Sequence, residues 1–217
     1  MMFGGRTPLY GAREGIRERR RQGDGNLRRM SGLVFGTRVA TPSGWRSAEG
    51  LVAGDWVLTF DNGMQRVTQV DHAPVWTGER RCPREFWMLD VPAGLCGNHA
   101  CLRLMPEQGV MVESDAAEML LGDPFSIVPA RALEVLPDVT RVPVDAQNMC
   151  VTLRFATAQV AFSEAGAMYL CPGSGDITDA SEGDDGYRAL PIEEARVIVT
   201  GLTRPAAQRT AGCCPAA

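Results

Sequence analysis

Cys96, His99 and Cys101 fall within six residues of one another in GLCGNHACL, and two thiolates with an imidazole are a donor set that suits Zn²⁺. No second pair with short spacing accompanies them, and Cys82 or Cys150 would complete four ligands only through the fold. Small buried side chains in strands and turns account for these cysteines more simply, so no metal and no other cofactor is expected. The other histidine, His72, follows Asp71 directly. An acid next to a histidine looks like an oriented base, but neighbouring strand residues point to opposite faces, so a surface histidine is the better reading. Five acids between Asp176 and Asp185 lack the alternating spacing of a calcium loop and read as a solvated linker. Cys213 and Cys214 are adjacent, which suits neither pairing with each other nor chelation.

The elements that would position such groups are strands. From Leu33 onward the chain alternates short β-branched and aromatic runs with turn signals. Pro42-Ser43-Gly44 closes one hairpin and Asp61-Asn62-Gly63 a second, with residues 64–70 expected as the returning strand. FWMLDV and ACLRLMP read as two more extended pieces, VMVES as another, and VTLRFATAQVAFS with AMYLCP as a last hairpin turning at Glu164-Ala165-Gly166. DAAEMLLG is expected to make a helical turn capped by Asp115 and ended by Asp123-Pro124. ALPIEEARVIVTGL has Pro191 at a helix start, acids in its first turn and apolar residues at helical spacing, so one short helix is expected there. Trp45, Trp56, Trp76 and Trp87 are expected to pack on the sheets, and Met105, Met111 and Met119 to fill gaps in the core.

The 217 residues suffice for one sizeable core with tails. Residues 1–30 hold eight arginines against three acids, which leaves 14 basic and 23 acidic groups on the rest. An acidic body repels phosphate backbones, so no nucleic-acid binding is expected except through the Arg-rich segment, which reads as a flexible, solvated arm. Seven cysteines in no repeated spacing imply reduced thiols, and no apolar run is long enough to span a membrane. The cytoplasm is the expected location, with no membrane partner.

GTRVATPSGWRSAEGLVAGDWVLTFDNGMQRVTQV resembles the opening of a Hint (hedgehog/intein) domain of the bacterial type, matching its pattern at Gly36, Thr37, Gly44, Gly54, Asp55, Val57 and Leu58. VPAGLCGNHACLRLMPEQGVMV is similar to the family's small-residue turn, Leu-rich strand and Ser-Pro-Gln-His signature. VTLRFATAQVAFSEAG is similar to a strand pair that usually carries histidines. The resemblance implies a mainly β, compact Hint-like fold over residues 31–172, and composition adds a flexible basic arm at 1–30 and an acidic linker, short helix and tail at 173–217.

It also implies a chemistry. The first residue of a Hint domain is a nucleophile that attacks the preceding carbonyl while a nearby histidine moves protons. Counted from Gly36, the nucleophile position is Gly32, which has no side chain. The histidine of the signature stands at Gln108, whose amide does not titrate near neutral pH, and the later histidine positions read Thr152 and Ala158. Ser31 and Thr37 are the substitute nucleophiles nearest in sequence. The expectation is therefore a degenerate, non-catalytic interaction or structural module with an unidentified protein partner. The alternative is a self-processing domain that uses an unrecognised nucleophile.

Overall fold

Short hairpin turns set much of the architecture, because they specify locally which strands pair. The computed structural model describes residues 31–77, 81–144, 147–174 and 187–202, and the expected arm, acidic linker and terminal cysteines lie outside them. The described chain runs β1 (Leu33–Val34), β2 (Arg38–Thr41), β3 (Gly44–Ser47), β4 (Trp56–Thr59), β5 (Gly63–Arg66) and β6 (Gln69–Pro74). It continues with β7 (Met88–Val91), β8 (Leu102–Leu104), β9 (Gly109–Glu113), helix α1 (Asp115–Leu121) and β10 (Phe125–Pro129). β11 (Thr140–Val142), β12 (Met149–Arg154), β13 (Gln159–Phe162), β14 (Met168–Cys171) and helix α2 (Ile192–Thr200) complete it.

These strands form a six-stranded sheet in the order β10-β9-β14-β13-β4-β5, two three-stranded sheets, β1-β12-β6 and β11-β7-β8, and the β2-β3 ribbon. All named pairings are antiparallel. The fold is mainly β, as expected. Both expected tight turns are present: Thr41 faces Gly44 and Thr59 faces Gly63, with both glycines at positive φ. The third joins β13 to β14.

Residues 64–70 do not form one strand. β5 ends at Arg66, Val67 exchanges backbone hydrogen bonds with Gly54 and Asp55, and the chain then crosses to pair with β12 in another sheet. Nothing local marks that break. The helix at 115 is capped by Ser114, whose hydroxyl accepts from the Ala116 N–H, so Asp115 is the first helical residue and not the cap. Trp45 and Trp56 are 40% and 49% exposed, whereas Trp76 and Trp87 pack against a smaller apolar cluster. Met105 and Met111 are buried as expected, but Met119 is 81% exposed.

The main core draws from every sheet. Leu33, Val57, Leu89, Val110, Val151 and Ala161 belong to it, and so do Ala195, Ile198 and Val199 of α2. The C-terminal helix therefore packs into the same core as the strands.

Candidate functional site

β1 is two residues long, yet it inserts beside β12, pairing Leu33 with Val151 and Val34 with Cys150. That pairing buries Gly32, whose φ of +129° is a backbone state that side-chain-bearing residues rarely adopt. A Cβ at this position would lie 3.3 Å from the Val151 carbonyl oxygen and 3.4 Å from both Cβ and Sγ of Cys150. From the other side, the Gly32 N–H donates to Gln108 Oε1 at 3.1 Å. The two positions that the motif assigns to nucleophile and histidine, 76 residues apart in sequence, are thus in direct contact.

Gln108 is 2% exposed and is held on all sides. Its Nε2 donates to the carbonyls of Gly109 and Leu170, at 2.9 Å each, and its own carbonyl accepts from the Ala130 N–H. The preceding Glu107 lies 3.0 Å from Arg131 Nε, although the N–H is not aimed for a hydrogen bond. Burial raises the Glu107 carboxyl above the ordinary range, against the opposing pull of Arg131 and Arg141.

The remaining candidates do not converge on this contact. Thr37 donates its hydroxyl to the Val34 carbonyl at 2.6 Å and so closes its own turn. Ser31 is half-buried at the start of the described chain. Thr152 lies opposite Asp71 on β6, and Ala158 sits in the turn before β13. His72 is exposed, edge-on to Phe35 and 3.0 Å from the Glu49 carbonyl, while Asp71 is hydrogen-bonded to Arg154 at 2.9 Å. The two do not act as a pair, as the alternation of strand faces requires.

Partial burial raises the Asp71 carboxyl, but hydrogen bonds from Arg154 and Gln69 outweigh this and hold it below its usual value of 3.8. A depressed carboxylate stabilises the fold above its unfolded-state pKa, and this contribution is lost as pH falls through the folded one. Asp71→Asn is expected to flatten the acid limb of stability against pH below about 4. Denaturant midpoints measured across that range check this, and an unchanged limb would show that the pair contributes nothing.

Cys96 is buried, and burial alone pushes its thiol up to about 12, which disfavours a ligating thiolate, while His99 is exposed. No group of three His, Cys, Asp or Glu is placed to hold a metal ion among the described residues. The residue that motif reasoning left unexplained is Cys150, whose thiol lies against the Gly32 position. It is 118 positions away in sequence and only the β1-β12 pairing brings it there. Burial raises its pKa, and its thiol donates weakly to the Ala73 carbonyl at 3.4 Å. A cavity of 280 Å³ opens beside the Val34–Arg38 turn, and both arginines lining it are bound by carboxylates, Arg38 by Glu164 and Arg103 by Asp90.

The model of the Hint domain family matches residues 31–168 of the chain. The chain belongs to the Hint family. Among solved structures, this Hint domain is similar to a glutathione-linked, splice-inactive variant of the AceL NrdHF class 3 split intein, at 15% identity and a TM-score of 0.43. That match covers 66% of this chain and 99% of that one. It is also similar to the bacterial intein-like domain from Clostridium thermocellum, at 12% identity and a TM-score of 0.41, covering 64% and 97%. No curated protein matches the chain. The Hint family is one of self-splicing and autoprocessing folds. In this member, Gly32 and Gln108 are in direct contact.

Proposed function

We propose that this Hint domain is a non-catalytic interaction or structural module that keeps the site geometry of its family and lacks the self-cleaving chemistry. The carrying observation is the contact between Gly32 and Gln108. An acyl shift needs an oxygen or sulfur on the residue after the attacked carbonyl, and Gly32 has none. It also needs a group that takes up and releases a proton, whereas the Gln108 amide is fixed by three hydrogen bonds and does not titrate near neutral pH. On this reading the amide replaces a catalytic contact with a structural one that ties β1 to the β9 end of the large sheet.

The working unit is residues 31–172 together with the helix that packs on its core. A reducing, cytoplasmic location suits it, because all five described cysteines are free. No described helix is long and apolar enough to cross a membrane. The partner is taken to be a protein met through the loops or the basic segment.

Self-processing through another nucleophile has one observation in its favour, the Cys150 thiol beside Gly32. Against it, burial raises the thiol's pKa when the reactive species is the thiolate, and the nearest histidine side chain on the neighbouring strand faces away. The intact mass of the full chain after prolonged incubation with and without dithiothreitol is expected to stay constant. A thiol-dependent fragment ending at Ser31 would overturn the proposal, and loss of that fragment in Cys150→Ser would assign the nucleophile.

A further inference from the structure

Apart from Gly32, one groove of 590 Å³ stands out on the described surface, within the range of pockets that enclose a ligand or a short peptide. Its floor is apolar: Phe60 and Phe125 meet edge to face at 5.2 Å, with Met111 and Ile127 beside them and Leu121 at the end of α1. Its rim is acidic. Asp61 and Asp123 line it, and Glu113 projects from the same face of β9 as Met111, against a single arginine, Arg188. Strand β10 is the edge of the six-stranded sheet, and among the described residues the Tyr187–Leu190 stretch covers part of that edge, its Leu190 N–H donating to the Ile127 carbonyl. Exposed Met119 and Leu120 extend the apolar surface beyond Leu121.

The start of the described chain is tied to the end of β9 that leads into this groove. Gly32 is hydrogen-bonded to Gln108, which precedes Gly109. Over Gly109 the side chains of Leu170 and Ile127 close to about a Cβ's width, and Ile127 is already a groove residue. Met111, the next lining residue, is two positions along β9, about 7 Å away. The sequence that precedes Ser31 is Leu27-Arg28-Arg29-Met30, two apolar anchors around two guanidinium groups. Four residues reach up to about 14 Å, enough to enter the groove.

We propose that the groove is the docking site of the chain's own residues 27–30, with Leu27 or Met30 on the apolar floor and Arg28 and Arg29 against Asp61, Glu113 and Asp123. The charges complement, since the first 30 residues carry eight arginines, while the groove is lined by two acids and one base, with exposed Glu113 at the end of β9 beyond Met111. The acidic rim disfavours an acidic occupant, and the position of Ser31 makes the attachment intramolecular, with a high effective concentration. Docking would tether the basic segment to the acidic body and hold it away from other polyanions.

Limited trypsin digestion of the full chain, followed by mass spectrometry, tests this. Cleavage after Arg28 and Arg29 should be about tenfold slower than cleavage after Arg19, Arg20 and Arg21 in the same molecule. The triple substitution Asp61→Asn, Glu113→Gln and Asp123→Asn should abolish the difference. It keeps acceptors for the hydrogen bonds from the Tyr187 hydroxyl and the Phe125 N–H. High salt should do the same to the unaltered chain, because exposed charge pairs are screened. Equal rates in the unaltered chain, or protection that survives both neutralisation and salt, would overturn the proposal. Protection should persist on about hundredfold dilution, and its loss would overturn the intramolecular occupant in favour of a second copy.

Discussion

Gln108→Ala is expected to destabilise the fold by about 3–5 kcal/mol, the largest single-residue effect at this site. The substitution leaves the Gly32 N–H and the carbonyls of Gly109 and Leu170 without this partner in a site from which water is excluded, and it opens a cavity where the amide lay. For a chain of this size that corresponds to a fall in melting temperature on the order of 10 °C. Gln108→His should cost less, about 1–2 kcal/mol, because an imidazole can accept from Gly32 through one nitrogen and donate to one carbonyl through the other. Thermal unfolding of the two variants side by side checks the argument. A cost below about 1 kcal/mol for the alanine variant would mean that the network does not hold β1 in place.

Gly32→Cys supplies the thiol that the family motif calls for, and the expected result is a weaker fold with an unchanged intact mass. Its φ of +129° strains any side-chain-bearing residue, by about 1–3 kcal/mol. The new Cβ must also fit at 3.3 Å from the Val151 carbonyl. Melting should fall by several degrees, about 2–4 °C per kcal/mol. Self-cleavage should not follow, since Gln108 beside it cannot take a proton.

Instead, the introduced thiol would face Cys150. The Cβ separation of 3.4 Å is just short of the range found in disulfides, so mild oxidation should cross-link positions 32 and 150. Loss of two reactive thiols on oxidation, read by maleimide labelling under denaturing conditions, would show the link. Cleavage at the Ser31–Gly32 bond in this variant would refute the idea that the missing side chain is not the only defect.

Much of the strand order along the chain was legible in the sequence because each hairpin is specified within a few residues. Pro42-Ser43 and Asp61-Asn62 each lead into a glycine at positive φ, and β13 and β14 flank a turn of the same local kind. The break at Val67 and Thr68 was not legible, since its cause is a partner strand more than 80 residues later, reached through the Thr68 N–H and the Arg154 carbonyl. Helix α1 shows a different limit. Its sequence DAAEMLL spreads apolar residues around about two turns, so the pattern gives no direction, and the fold buries small Ala117 while leaving Met119, Leu120 and Leu121 outside.

At the site, spacing alone pointed to Gly32 and Gln108, because a motif is a one-dimensional property of the chain. Their contact, the threefold hold on the Gln108 amide and the Cys150 thiol against Gly32 required β1, β9, β12 and β14 to meet. Such meetings are decided by the summed burial of many apolar side chains across three sheets, a quantity that no window of neighbouring residues contains.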